Sequence, residues 1–175
     1  STLFLQLCAW ATELVDRGLC SSFTVDTYER ELERYHGPDG MAFAEAVFHA
    51  DSSAVVNILA LRRAGRLVID DVVLAALPCY DLVDTLDEDE HHLAWYSKVI
   101  PRHPPPDPAR AARARELRAL ITIGPTSCSG GTELSTILAD RRAKLARPSP
   151  QLDPASLSDH LHMHHTRLLG PHDSE

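Results

Sequence analysis

The sequence predicts an α+β fold that is predominantly helical, with few strands and with the partners of any sheet lying outside the chain. Three observations lead there. Apolar residues recur at helical spacing along most of the 175 residues. Helix-starting and helix-stopping residues bracket those stretches. Only one segment, residues 21–25, alternates like a strand, with Phe23 and Val25 set against Ser22 and Thr24. At 44% apolar residues the chain has material for a real core, and its length fits one globular domain or a large piece of one.

Each element follows from local chemistry. Leu3, Leu7, Trp10 and Leu14 predict an amphipathic helix over residues 2–17, stopped by Gly18. Beyond the strand, Pro38-Asp39-Gly40 predicts a turn. A helix then runs from Met41 to about Ala50, and Asp51 or Ser52 caps a second one ending near Gly65. Asp70 or Asp71 caps a third, which Pro78 kinks or ends before residues 81–86. Residues 87–91 are acidic and precede an aromatic helix with Trp95 and Tyr96. Acidic groups suit the first turn of a helix, so this cluster reads as a solvated helix start rather than a cation site.

Five prolines within residues 101–108 predict a stiff loop or hinge. Residues 109–121 resume a helix that is basic on one face through Arg110, Arg113 and Arg118. The Gly/Ser-rich stretch 123–131 is expected to be a flexible loop, and residues 132–146 another helix. Residues 148–150 separate it from the last helix, which Asp153 caps, Pro154 opens and Gly170 closes. There is no internal repeat.

Charge and cysteine usage exclude several classes. With 17 basic and 25 acidic residues the net charge is −8, unfavourable for a duplex nucleic-acid binder, whose affinity rests on neutralising phosphates. No direct nucleic-acid partner is expected. No apolar run approaches the roughly 20 residues of a membrane span, and no signal peptide is visible, so no membrane partner is expected either. Cys8, Cys20, Cys79 and Cys128 are scattered without a CxxC pair. A chain with a proper core does not need disulfide staples, so free, mostly buried thiols and a reducing cytoplasm are expected. The leading Ser1 hints at a processed chain or an excised fragment.

Chemistry concentrates in two places. The closing helix holds His160, His162, His164 and His165, four of the ten histidines, beside Arg167. Histidine exchanges protons near neutral pH, and arginine grips carboxylates in a planar fork. Leu157, Leu161, His164 and Leu168 share one stripe, which predicts His164 in the core or at its edge. His162 points roughly 140–160° away from that stripe. His160 and His164 have metal-pair spacing, but no matching Cys, His or carboxylate pair accompanies them, so no metal is expected. No Gly-rich phosphate loop is present; Gly130-Gly131 has no P-loop lysine or serine. The second dense stretch, residues 27–37, holds two tyrosines, two arginines and three glutamates. Read alone, it is a charged surface with weak ion pairs such as Glu31 or Glu29 with Arg34.

These residues carry a resemblance. Asp26-Thr27-Tyr28-Glu29-Arg30-Glu31, then Glu33-Arg34-Tyr35-His36-Gly37, Ala44-Glu45 and Phe48-His49-Ala50-Asp51-Ser52 look like the C-terminal domain of lantibiotic dehydratases and thiopeptide-type bacteriocin biosynthesis proteins. The family pattern there is approximately TYxxExxRYGG followed by a helix ending in FxxDS. His162-Met163-His164-His165-Thr166-Arg167-Leu168-Leu169-Gly170 resembles the family's closing HMxxNRLxG. His36 stands where the family has glycine and Thr166 where it has asparagine. The family's N-terminal half, with its WFFIRYxDPxPHLRLR-like strand and another functional arginine, does not precede Ser1. The resemblance therefore implies a partial elimination-type domain over residues 1–175, holding half of a site.

What the resemblance implies about function is elimination. A glutamylating partner domain or protein esterifies a Ser or Thr of a precursor peptide, leader and core together, with glutamate from glutamyl-tRNA. The elimination domain then removes the α-proton and expels glutamate, leaving dehydroalanine or dehydrobutyrine, in a lyase reaction that requires no cofactor. Residue by residue, Glu31 and Arg34 match the acid and arginine of the first motif, and His162 the opening histidine of the last. The developing enolate and departing glutamate suit Arg34, proton transfer suits His162, and Glu31 orients one of them. On this reading His162 lines a cleft instead of facing solvent. Two rivals stand beside it: a thiopeptide pyridine synthase joining two dehydroalanines by a formal [4+2] cycloaddition, and a non-catalytic peptide-binding module. A homodimer is compatible with the sequence.

Overall fold

The computed structural model describes residues 2–86, 107–146 and 154–170. Among them run six α-helices: α1 (Thr2–Asp16), α2 (Pro38–Arg63), α3 (Asp71–Leu86), α4 (Pro108–Ile123), α5 (Gly131–Leu145) and α6 (Pro154–Leu169), with a 3-10 turn at Pro125–Ser127 between α4 and α5. The aromatic helix around Trp95 and Tyr96, the acidic run 87–91, prolines 101–106, residues 148–150 and the Asp153 cap lie outside the described residues. The chain divides into two units, residues 1–30 and 31–175.

In the first unit α1 forms where its apolar spacing predicts it. Gly18, at φ +64, closes it as its amide donates to the Val15 carbonyl at 2.9 Å. The strand expected at residues 21–25 is not formed. Residues 22–31 have no regular structure, because a strand requires a neighbouring segment to take its backbone hydrogen bonds and the described residues contain none. The helical majority stands as expected. The β part of the expected α+β class is absent from the described residues.

The second unit is organised around α2. The expected break at Asp51 does not occur: Pro38 to Arg63 is one helix of 26 residues. The Pro38-Asp39-Gly40 turn is its first turn, with proline at a position where no amide is needed. Asp51 does not cap because its carboxylate finds buried partners, which outweigh its preference for a helix end. One half of the core joins Val55 and Ile58 of α2 to Val73, Leu74 and Leu77 of α3, Leu134 and Leu138 of α5, Leu120 of α4 and Leu168 of α6. The other joins Val47 and Ala50 of α2 to Leu82, Val83 and Leu86 of α3, Leu145 of α5 and Leu157 of α6. Each fully buried leucine in these layers contributes on the order of 2 kcal/mol.

Asp70 is the cap of α3, its Oδ1 accepting from the Val72 amide at 2.9 Å. The helix passes straight through Pro78 to Leu86 rather than ending there. The Pro78 carbonyl accepts a hydrogen bond from the buried Arg141 guanidinium. Asp107 caps α4 by accepting from the Arg110 amide at 2.8 Å. In the segment after α4, the Cys128 amide donates to the Pro125 carbonyl and the Val68 amide to the Ser129 carbonyl. Gly130 there is at φ +76, and a Cβ on it would meet the Arg66 carbonyl oxygen at 2.3 Å. All four cysteines are free, but only Cys79 is buried. Among the described residues no helix is long and apolar enough to cross a membrane.

Candidate functional site

The first motif folds as a tight irregular segment leading into α2. The amides of Arg34 and Tyr35 both donate to the Glu31 carbonyl, at 3.1 and 3.2 Å, and the Gly37 amide to the Leu32 carbonyl at 2.7 Å. His36 has φ +60, a left-handed conformation that favours glycine. That is the physical content of the glycine in the family pattern at this position. Gly40, in the first turn of α2, lies so close beneath the segment that a Cβ would fall 1.7 Å from the Tyr35 carbonyl oxygen. Residues 31–37 are therefore packed directly against the start of α2.

Tyr35, buried, anchors this segment. Its ring meets Phe48 edge-on with centroids 5.8 Å apart, and lies 5.8 Å from the ring of His160 on α6. Phe48 in turn lies 5.3 Å from His160 and carries the Arg167 guanidinium 5.1 Å above its ring. One turn further along α2, Asp51 is buried at the centre of a charged network. Its carboxylate accepts from Arg141 Nη1 at 2.8 Å, from His164 Nδ1 at 2.7 Å and from Arg167 Nη1 at 3.1 Å. Arg141 also donates to Asp81 at 2.8 Å, and Asp81 is shared with Arg142. Burial pushes the Asp51 carboxyl up, but the hydrogen bond and charge of His164 and the charge of Arg141 outweigh it and hold it below the usual carboxylate range. The three motif segments thus interlock, the middle one through Phe48 and Asp51.

Beyond this packed layer lie the residues expected to act. Arg34 is half exposed, at 52%, and donates from Nε and Nη2 to the two oxygens of Asp159, both at 2.6 Å, while Nη1 meets Glu31 at 3.4 Å. The hydrogen bond and charge of Asp159 raise the Arg34 pKa above its ordinary value, and the same contact lowers that of Asp159. Asp159 precedes His162 on α6 by three residues, so the two share one edge of the helix. His162 is exposed, so among the described residues it faces solvent and does not line the cleft that the resemblance implied. The structure therefore brings Arg34 and Glu31 to the His162 edge of α6 through Asp159, across 125 positions of sequence. Donors and acceptors of opposite type converge there on an exposed surface.

His164 lies in the core, as its stripe predicts. His160 is also buried, with neither ring nitrogen hydrogen-bonded, and burial lowers its pKa to about 4. His160 and His164 are both taken up in packing, and the described residues contain no cluster that could hold a metal ion. Cys79 Sγ lies 3.4 Å from His165 Nε2, but burial pushes its thiol up to about 12, which removes it as a nucleophile near neutral pH. Sequence reasoning missed Asp159, Arg141 and the interior role of Asp51. Asp51 had a signal in the FxxDS motif; Asp159 and Arg141 had none, since their partners are remote.

The chain is similar in sequence to proteins of lantibiotic biosynthesis. Over 68 residues, 39% of this chain, it is 38% identical to subtilin biosynthesis protein SpaB of Bacillus subtilis; over 43 residues, 25% of this chain, it is 42% identical to nisin biosynthesis protein NisB of Lactococcus lactis subsp. lactis. The matched stretches span 7% and 4% of those proteins. No solved structure matches the chain. The family described as lantibiotic biosynthesis dehydratase C-term matches residues 2–175, and the chain belongs to that family.

Proposed function

We propose that this chain takes part in the elimination step of lanthipeptide dehydration. In that step the α-proton of a glutamylated Ser or Thr is removed, the Cα–Cβ double bond forms, and the Cβ–O bond breaks to release glutamate. The observation that carries the reading is the double hydrogen bond from Arg34 to Asp159, which joins the first motif to the His162 edge of the closing helix. A neutral histidine accepts the α-proton, and a half-exposed guanidinium stabilises the enolate or the departing carboxylate. His162 takes the first role and Arg34 the second. Glu31, on the Nη1 edge of Arg34, orients the fork. A precursor peptide is the substrate, and a glutamylating domain or protein supplies the ester.

The test is mass spectrometry of a glutamylated precursor peptide incubated with the chain, alone and together with the N-terminal half of the domain. Loss of glutamate with formation of the dehydro residue is expected. Arg34→Ala and His162→Ala should each lower turnover by about a hundredfold or more while peptide binding persists. Glutamylated peptide left unchanged by the combined halves rules the elimination out. Conversion of an already dehydrated peptide would then point to cycloaddition, and binding without turnover to a peptide-binding module.

A further inference from the structure

Arg34 has two edges on which a carboxylate can dock, the Nε–Nη2 side and the Nη1–Nη2 end, and the molecule treats them differently. Asp159 occupies the side with two 2.6 Å hydrogen bonds, whereas the end meets only a long contact with Glu31 at 3.4 Å. Asp159 is well placed to hold a fixed geometry. It rises from a regular helix, α6, whose phase is set by Leu157 and His164 in the core and by Arg167 on Asp51. Arg34 rises from an irregular segment, and an arginine there samples many rotamers unless something holds it.

We infer that Asp159 is a positioning residue, which clamps the Nε–Nη2 side of Arg34 so that its Nη1 end faces a carboxylate of the substrate. This rests on the elimination reading and adds a role that neither motif contains. Such a clamp is part of the active arrangement, not a substitute for substrate, and its removal costs rate. The acid makes no contact with the reacting atoms and acts only through the guanidinium. Misplacement of a gripping group by an ångström costs up to about a hundredfold.

The test is Asp159→Asn, a change at the surface of α6 that keeps the size of the side chain. With glutamylated peptide, kcat is expected to fall about tenfold or more, with KM changed less than about threefold and the melting temperature little moved. Asp159→Glu, which retains the charge, should recover part of the rate. Unchanged kcat overturns the inference. A rise in kcat also does so, since it would make Asp159 a competitor for the fork, and so does a fall that tracks lost folded protein. A second readout needs no turnover: the Arg34 Nε–H signal in 15N spectra of the full chain, slowly exchanging in the wild type and exchange-broadened in Asp159→Asn. An identical signal in both proteins sinks the clamp by itself. Absence of turnover in the wild type with a lost Nε–H signal in the variant would instead leave the clamp standing and remove the elimination reading.

Discussion

At the residue scale the decisive group is Asp51. It faces three donors, from Arg141, His164 and Arg167, which lie on two later helices 90 to 116 positions further along the chain. Removing one member of a buried ion network leaves the others charged, desolvated and unpaired, which costs about 3–5 kcal/mol. Asp51→Ala should therefore lower the urea midpoint severely. Arg142→Ala, which deletes a half-exposed side chain and leaves Asp81 paired with Arg141, should cost about 1 kcal/mol or less. Equal losses from the two variants would mean that Asp51 is not the hub. Local sequence offered Asp51 as a helix cap because aspartate caps helices well. It gave no indication of the opposing arginine, whose choice of partner is a three-dimensional fact.

At the element scale the helices are mostly where spacing and capping residues put them, and the differences concern where they stop. Proline at 78 and aspartate at 51 are breakers by propensity, yet both sit inside helices. The Arg141 guanidinium, donating to Asp51, accounts for the interior aspartate, and it also ties the Pro78 carbonyl of α3 to α5. The segment between α4 and α5 depends on close approach. Gly130→Ala must hold alanine at φ +76 and push its Cβ away from the Arg66 carbonyl, for a cost of at least about 2 kcal/mol. Gly170→Ala, at φ +82 with nothing within 4 Å, should cost only the strain, about 1–2 kcal/mol. Thermal melts of the two variants compare them directly, and a milder effect at Gly130 would show that its loop yields.

At the scale of the whole molecule the motifs serve two purposes, packing and chemistry, and they divide by depth. Tyr35, Phe48, Asp51, His160, His164 and Arg167 form the inner layer, while Glu31, Arg34, Asp159 and His162 lie on its outer edge. The inner layer makes the fold sensitive to acid. His160 is held to about 4 from an ordinary 6.5 by burial, so between these values the unfolded chain binds the extra proton and stability rises with pH. The shift corresponds to roughly 3 kcal/mol. Asp51, held below its ordinary value, adds a second loss of stability that sets in as pH falls below about 4. Urea midpoints measured at pH 4.5 and 7 should differ in the wild type and converge in His160→Leu. A variant that keeps the full difference would show that another group carries it.

Much of this was legible in sequence, and the boundary has a physical cause. Helical period, caps and the left-handed glycine positions are decided by a few adjacent residues. The framework of helices, the burial of His164 on its apolar stripe and the membership of Glu31, Arg34 and His162 in two motifs were therefore readable along the chain. The strand at residues 21–25 was not reliable, because alternation describes a willingness to pair and pairing needs a second segment. Only the tertiary structure decided that Asp51 is interior, that His160 is buried without a hydrogen bond, and that Asp159 holds Arg34. Those contacts join residues separated by up to 125 positions, and a hydrogen bond between side chains depends on where helices pack, which no local pattern records.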